Sequence, residues 1–311
     1  MEPAASRVIC IGGAAVDRKY RAMSDLRPMT SNPVASERSF GGVARNVAEN
    51  MVRLGAKVSL ASILGDDENG RSMLDDLKRL GIDTRHMAVS ETHATAEYVA
   101  VLQPDGEMAI GLADMAIFDD FAPALLEPMK PDLGSGWIFA DCNLPAETLH
   151  HLVDHCRRHS LTLAVDAVST PKAMRLARDL SGIGLLFLNL DEARALLDDP
   201  DASPEAAAPA LIERGVERVV LTLGSKGLVA ADGAGSRRIG SLSAEIVDAT
   251  GAGDALIAAT LVGLLDGHDL YEAARLGTAA AALTVESGAS VRPDLSHALL
   301  ETTLSLRAAV G

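Results

Sequence analysis

The segment Asp248-Ala-Thr-Gly-Ala-Gly-Asp254 runs directly into the apolar stretch Ala255-Leu-Ile-Ala-Ala-Thr260. Two glycines permit a tight turn at a helix start and leave several backbone N–H groups pointing outward. With the helix dipole behind them, those groups make a site for an anion such as a phosphoryl group in transfer. An aspartate immediately after the turn is held beside the same spot, where it can take the proton of an attacking hydroxyl. Gly251, Ala252 and Gly253 would then stabilise charge while Asp254 acts as base. In isolation the segment reads more simply, as a glycine-rich loop with Asp254 capping a helix.

Three further segments accompany it. Phe40-Gly-Gly-Val-Ala-Arg-Asn46 puts Gly41 and Gly42 at another helix start, with Asn46 able to donate and accept at once. Asn189-Leu-Asp-Glu192 follows an apolar strand, and its carboxylate could orient the water shell of a Mg²⁺ ion. Thr222-Leu-Gly-Ser-Lys-Gly227 follows the next strand as a turn with room for a nucleotide. Each segment falls at a strand-to-helix or strand-to-loop junction, where open α/β sheets place their chemistry.

The elements that must hold these junctions follow from the hydrophobic pattern. Short apolar runs predict strands at 7–12, 58–64, 137–141, 161–166, 183–188 and 218–223, with a β-rich piece at 227–231 and 237–241. Helices are predicted from Gly41 to Gly55 and at 68–80, 145–159, 171–180, 191–197, 204–214, 252–265 and 270–285. This alternation predicts an α/β fold, a doubly wound and mostly parallel sheet flanked by helices in one domain over 1–311. Two segments break the rhythm: 14–40 is polar and irregular, and 94–113 reads as a hairpin around Gln103-Pro-Asp-Gly106. Folded together they would form a small β-lid over the strand ends.

The 311 residues carry 28 Lys+Arg against 43 Asp+Glu, a net charge of −15. Such a surface repels nucleic-acid backbones and anionic membranes, which excludes those partners as a class. Three cysteines without CxxC spacing point to a reducing, cytoplasmic setting, and no stretch approaches the ~18 apolar residues of a membrane span. Several look-alikes are set aside. The stretch 65–72 lacks the Lys of a P-loop and carries three acids, so it reads as a loop into a helix. His151, His155 and His159 recur every four residues without a second ligand cluster, so they read as a helix face and not as a metal site. Cys142 and Cys156 read as small core or near-site residues, and Tyr98 as a lid strand residue. Lys172 reads as a surface helix residue or as a contact to substrate or phosphate.

In combination the GGVARN and DATGAGDA segments resemble the two signatures of the ribokinase-like (PfkB) sugar kinases, NLDE their NxxE motif and TLGSKG their nucleotide loop. The resemblance spans residues 8–293. Within that family Thr30-Ser-Asn-Pro33, Ala113-Asp-Met115, Ala140-Asp-Cys-Asn143 and Val165-Asp-Ala-Val-Ser169 with Lys172 resemble the pseudouridine kinase subfamily. The resemblance implies ATP-dependent phosphorylation of the 5′-hydroxyl of a C-nucleoside and a β-lid that mediates a homodimer. It implies that Asp254 is the base, with Gly251, Ala252 and Gly253 as anion hole. Asp17, Gly41, Gly42 and Asn46 would contact sugar hydroxyls. It further implies that Asn189 and Glu192 serve Mg²⁺ and phosphate, Glu192 through water, and that Thr222, Gly224 and Gly227 serve ATP. Asp248 and Thr250, with carbonyls near 286–290, would hold K⁺. Ser31, Asn32 and Asn143 offer hydrogen-bonding groups to a pseudouracil ring and Met115 a packing face, although Ser-Asn-Pro also makes a simple turn.

The sequence departs from the family pattern at Ala15, Val34, Ala44, Asn143 and Leu188, which touches lid shape and substrate identity but not the base. Two alternatives follow. One is another kinase of this fold acting on ribose, adenosine, a different nucleoside or a sugar acid. The other is a non-catalytic nucleoside-binding regulator, against which the intact GAGD and NLDE segments speak.

Overall fold

The structure is a computed structural model that describes residues 7–133, 136–307 and 309–310. Strand β1 (Arg7–Ile11) opens the chain, and β2 (Ala15–Ala22) and β3 (Val34–Gly41) leave the main body before helix α1 (Val43–Arg53) returns to β4 (Lys57–Ala61). Next come β5 (Ile63–Gly65), α2 (Glu68–Arg79), β6 (Ala88–Ser90) and the hairpin β7 (Glu97–Leu102) and β8 (Met108–Asp114). Two 3₁₀ segments (Ala116–Asp120 and Pro123–Met129) and the one-turn α3 (Lys130–Leu133) lead to β9 (Gly136–Asp141) and α4 (Ala146–His159). The βα rhythm continues with β10 (Thr162–Asp166), one-turn α5 (Thr170–Ala173), β11 (Leu185–Asn189), α6 (Leu190–Leu197), α7 (Pro204–Glu213) and β12 (Arg218–Thr222). β13 (Leu228–Asp232) and β14 (Gly235–Ile239) precede the long helices α8 (Ala252–Leu265) and α9 (Leu270–Val285), and α10 (His297–Leu306) follows.

The main sheet has eight strands in the order β14-β13-β12-β11-β10-β9-β1-β4. The first six along the chain pair in parallel, while β13 and β14 add an antiparallel edge. The strand order reverses between β1 and β9, because the chain moves outward to β4 on one side and to β14 on the other. That reversal opens a crevice at the carboxyl ends of β1 and β9, where such sheets receive ligands. Apolar strand residues fill both faces. Ile9, Ile138 and Leu163 pack towards the α4 and α7 side, and Val8, Phe139 and Phe187 towards α1, α8 and α9. Helix α8 is buried continuously from Ala255 to Gly263, so it carries no polar face; α9 covers it instead.

The second sheet has the order β3-β2-β7-β8. Segment 14–40 supplies two eight-residue strands that pair over their whole length, joined by an irregular connection over 23–33. β3 is exposed along most of its length and β8 throughout, so neither shows the apolar alternation that marks a half-buried strand. Two expectations are revised. The helix expected over 171–180 is one turn, Thr170–Ala173, and α10 lies where no element was expected.

Candidate active site

Gly251 caps α8 with φ of 79°, and a Cβ there would sit 1.8 Å from the Ser290 carbonyl oxygen. Only glycine lets the turn press against the 287–290 loop; of the first N–H groups of α8, that of Ala252 donates back to the Ala249 carbonyl at 3.4 Å, while those of Gly253 and Asp254 have no backbone acceptor among the described residues. Beside Gly253 there is open space. Asp254 lies in that first turn, and Asn46 Nδ2 donates to its Oδ2 at 2.8 Å. Burial pushes the Asp254 carboxyl up to about 7; Asn46 pulls it down, and nearby Asp141 and Asp17 raise it further. A carboxylate with that affinity for protons is suited to general-base work near neutrality.

Asn46 donates to Asp254 because of its own neighbour. Arg45 Nη1 donates to Asn46 Oδ1 at 3.1 Å, which fixes the amide with its NH₂ towards Asp254. The buried Arg45 guanidinium is held in turn by Glu49 at 2.5 Å and Asp76 at 3.0 Å. Arg45 was not singled out from sequence, although it sits inside the GGVARN segment.

Asp17 lies on β2, and its carboxylate packs so closely on Gly41 that a Cβ there would approach Oδ2 to 2.1 Å. Burial raises its pKa to about 6, against the lowering pull of Lys19 and Arg45. Gly42 has φ of 94° and lies against the Gly13 carbonyl, bringing the start of α1 to the end of β1.

Asp141, at the end of β9, ties these pieces together. It is fully buried, and it accepts from Gly13 N at 2.9 Å, Ala44 N at 2.8 Å and Asn143 N at 2.9 Å. Burial raises its pKa, and these hydrogen bonds oppose the rise. At the next strand end, Asp166 Oδ2 accepts from Val168 N at 3.1 Å and braces Val168 at a positive φ of 66°. A β-branched residue rarely adopts that conformation away from a functional site. Burial, then Asp254, Glu192 and Asp141, push the Asp166 pKa well up. Aspartates ending apolar strands (FAD and AVD) were the available sequence signal for both.

Asn143 is buried, and Lys172 Nζ donates to its Oδ1 at 2.5 Å. Lys172 thus belongs to the site edge and is not a free surface residue; burial lowers its pKa. Arg175 secures the same stretch by donating to the carbonyls of Cys142, Asn143 and Leu144. Asn32 is placed differently. Its side chain accepts from Arg27 N and donates to the carbonyls of Arg27 and Thr30, closing its own loop beside exposed Ser31. Met115 is partly buried against the main core.

Asn189 and Glu192 form a reciprocal capping box at α6: Glu192 N donates to Asn189 Oδ1, and Asn189 N to Glu192 Oε2. Glu192 is buried, and burial raises its pKa. Among the described residues neither Asp166 nor Glu192 forms an ion pair with a cationic side chain, and no three acidic, His or Cys groups are arranged to grip a metal directly. Such hard oxygen donors fit Mg²⁺ held through water and substrate phosphates. Thr222 Oγ1 donates to the Leu188 carbonyl at 3.4 Å, and Gly224 and Gly227, both at positive φ, shape the turn beyond β12.

Asp248 and Thr250 are close together. Asp248 Oδ1 accepts from Thr250 N at 2.8 Å and Thr250 Oγ1 at 2.6 Å, while Oδ2 accepts from Lys19 Nζ at 2.7 Å. Both carboxylate oxygens therefore already have partners from the chain, which is a poor fit to a site waiting for K⁺.

The sites set aside from sequence behave as ordinary structure. Asp67 caps α2 and Arg71 pairs with Asp66. His155 is buried against His159, with ring centroids 4.5 Å apart. All three thiols are free and buried. Tyr98 stands on β7 and donates to Met108 Sδ. A cavity of about 450 Å³ lined by Asn69, Thr95, Glu97, Val99, Leu112 and Asp114 includes none of the residues around Asp254. No helix among the described residues is long and apolar enough to cross a membrane.

A switch-point crevice holding a phosphate-ready helix start and a poised carboxylate defines a phosphotransferase of the ribokinase-like fold. Residues 5–296 match the pfkB family carbohydrate kinase model, and the chain belongs to that family. It is 29% identical over 294 residues to the uncharacterized sugar kinase YeiI of Escherichia coli, covering 92% of this chain and 81% of that one. It is 28% identical to the Escherichia coli pseudouridine kinase, covering 94% of each. A solved carbohydrate kinase from Agrobacterium tumefaciens superposes with a TM-score of 0.86 at 31% identity, covering 98% of both chains. Kinases of this family use ATP with Mg²⁺ and an alcohol acceptor.

Proposed function

We propose that the protein transfers the γ-phosphoryl group of ATP to the 5′-hydroxyl of pseudouridine. The observation that carries the chemistry is the Asn46–Asp254 contact at the mouth of α8. Asp254 takes the hydroxyl proton, the oxygen forms a bond to the γ-phosphorus, and the bond to the bridging oxygen of ADP breaks. The outward N–H groups of the Gly251–Asp254 turn receive the phosphoryl charge. When bound, Mg²⁺ neutralises phosphate charge beside Glu192 and Asp166. Asp17 and the Gly41–Gly42 turn orient the ribose, and ATP lies along the Thr222–Gly227 turn.

The base reading rests on the edge formed by Asn143 and Lys172, because a pseudouracil ring needs donors for two carbonyls and acceptors for two N–H groups. Similarity to a pseudouridine kinase across 94% of both chains supports it. The Asn32 side chain, committed to its own loop, favours the second reading: a sugar or other nucleoside acceptor that needs no base contact from that loop. A coupled ADP-release assay across pseudouridine, uridine, adenosine and ribose decides. We expect the highest kcat/KM on pseudouridine, and equal activity on uridine would refute C-nucleoside selectivity.

The homodimer belongs to this proposal as well. By register, Tyr20, Val99, Val101, Ile110 and Leu112 share the outer face of the second sheet, and Ile110 and Leu112 are more than half exposed. An apolar sheet face of this kind is expected to be covered by a second copy. Sedimentation should give a dimer, and Ile110→Lys a monomer; a wild-type monomer at high concentration would discard the interface.

A further inference from the structure

The Lys19–Asp248 ion pair joins residues 229 positions apart and connects two parts of the molecule that have to act together. Lys19 stands on β2 two residues beyond Asp17, so both side chains leave the strand on the same face. Asp248 opens the turn that ends in Gly251 and Asp254. The turn is also clasped from the other side: Val247 N and Asp248 N donate to the Val285 carbonyl, and Ser290 O presses on Gly251. The positive charge that meets the Asp248 carboxylate is therefore supplied by the chain itself, from the second sheet. Both partners of the pair are about three-quarters shielded, with side-chain exposures of 28% each.

We infer that the Lys19 ammonium takes, on Asp248, the place a monovalent cation would hold, making Lys19 a positioning residue that fixes the anion-hole turn from the second sheet. Two consequences follow. The enzyme does not require K⁺, because Asp248 Oδ2 is already bonded and Oδ1 is held by Thr250. The turn is also firm only while β2 lies over the site, so anion-hole geometry is tied to the strand that carries Asp17. A free ion could not provide that link.

The inference rests on the family's ATP-dependent reaction and not on the identity of the acceptor. The test compares wild type, Lys19→Gln and Lys19→Arg in KCl and in tetramethylammonium chloride at equal ionic strength. Two quantities are read: kcat on the best acceptor of the panel, and the melting temperature with a non-hydrolysable ATP analogue and no acceptor. Wild type should change less than about twofold in kcat between the salts, with equal melting temperatures. Lys19→Gln should fall about tenfold in tetramethylammonium, with KM for ATP less affected, and recover in KCl; Lys19→Arg should stay high in both salts. Strong activation of wild type by KCl would overturn the inference, as would a Lys19→Gln enzyme equal to wild type without K⁺. A loss that neither KCl nor arginine restores would overturn it too. If no panel acceptor is phosphorylated, the substrate reading fails alone: a KCl-dependent melting shift seen only in Lys19→Gln would still support the inference, and its absence would reject it.

Discussion

Asp254→Asn should lower kcat by about 10³-fold, within the range general bases contribute, while leaving affinity for ATP nearly unchanged. The amide keeps the shape of the carboxylate but cannot take the hydroxyl proton. Wild-type kcat should rise with pH through about 7, where the Asp254 carboxyl ionises. The same raised pKa has an opposite effect on stability. In the unfolded chain the carboxyl ionises near 3.8, and in the fold near 7, so between these values the native state holds more protons and stability falls as pH rises. Asn carries no such penalty. The variant should therefore melt higher than wild type, by a larger margin at pH 8 than at pH 5. Retained turnover, or a margin that shrinks towards pH 8, would remove Asp254 from the role of base.

That coupling of low stability with function fits the arrangement of the crevice. Asp17, Asp141, Asp166, Glu192 and Asp254 crowd the strand ends, and burial raises every one of their pKa values. A fold selected for stability alone would not gather five carboxyl groups there. Asp141 is met by three backbone N–H groups, and the proposed magnesium and phosphate chemistry gives a reason to keep Asp166, Glu192 and Asp254.

Much of this was legible in the sequence because the signals are local. Glycines before an apolar helix predict the Gly251–Asp254 turn, and Asn189 three residues before Glu192 sets the capping box. What stayed hidden depends on distant partners. Lys19 reads as one polar residue in a polar stretch, and only the pairing of β2 with β3 and β7 carries it to Asp248. The small β layer is expected from segments 14–40 and 94–113, but β2 and β3 could not be bounded individually, because a thin second layer leaves much of their surface wet and polar residues occupy both faces. The helix expected over 171–180 is a single turn, after which the backbone continues in i→i+3 turns from Arg175 N to the Lys172 carbonyl and from Leu176 N to that of Ala173, while the Arg175 side chain is drawn to the 142–144 carbonyls. Asp141 looks like any strand-end acid until three separate N–H groups are seen converging on it.

Those N–H groups make Asp141 the second position of large effect, with stability and acidity expected to move in distinct ways. Asp141→Ala leaves the buried amides of Gly13, Ala44 and Asn143 without their acceptor, at roughly 1–3 kcal/mol each where water cannot enter, so a loss of about 3–5 kcal/mol is expected. The urea midpoint should drop with an unchanged slope. Asp141→Asn keeps one acceptor oxygen, which can serve Gly13 and Ala44 together as Oδ2 does now, and should lose less. Its second effect is on the base. Asp141 is one of the charges that raise the Asp254 pKa, so removing it should move the rise of kcat to lower pH even though the protein is less stable. A merely structural aspartate would weaken the fold and leave the pH profile where it was. An Asp141→Ala enzyme of unaltered urea midpoint would show that these amides find other acceptors, and an Asp141→Asn enzyme of unaltered profile would show that Asp254 does not sense this charge.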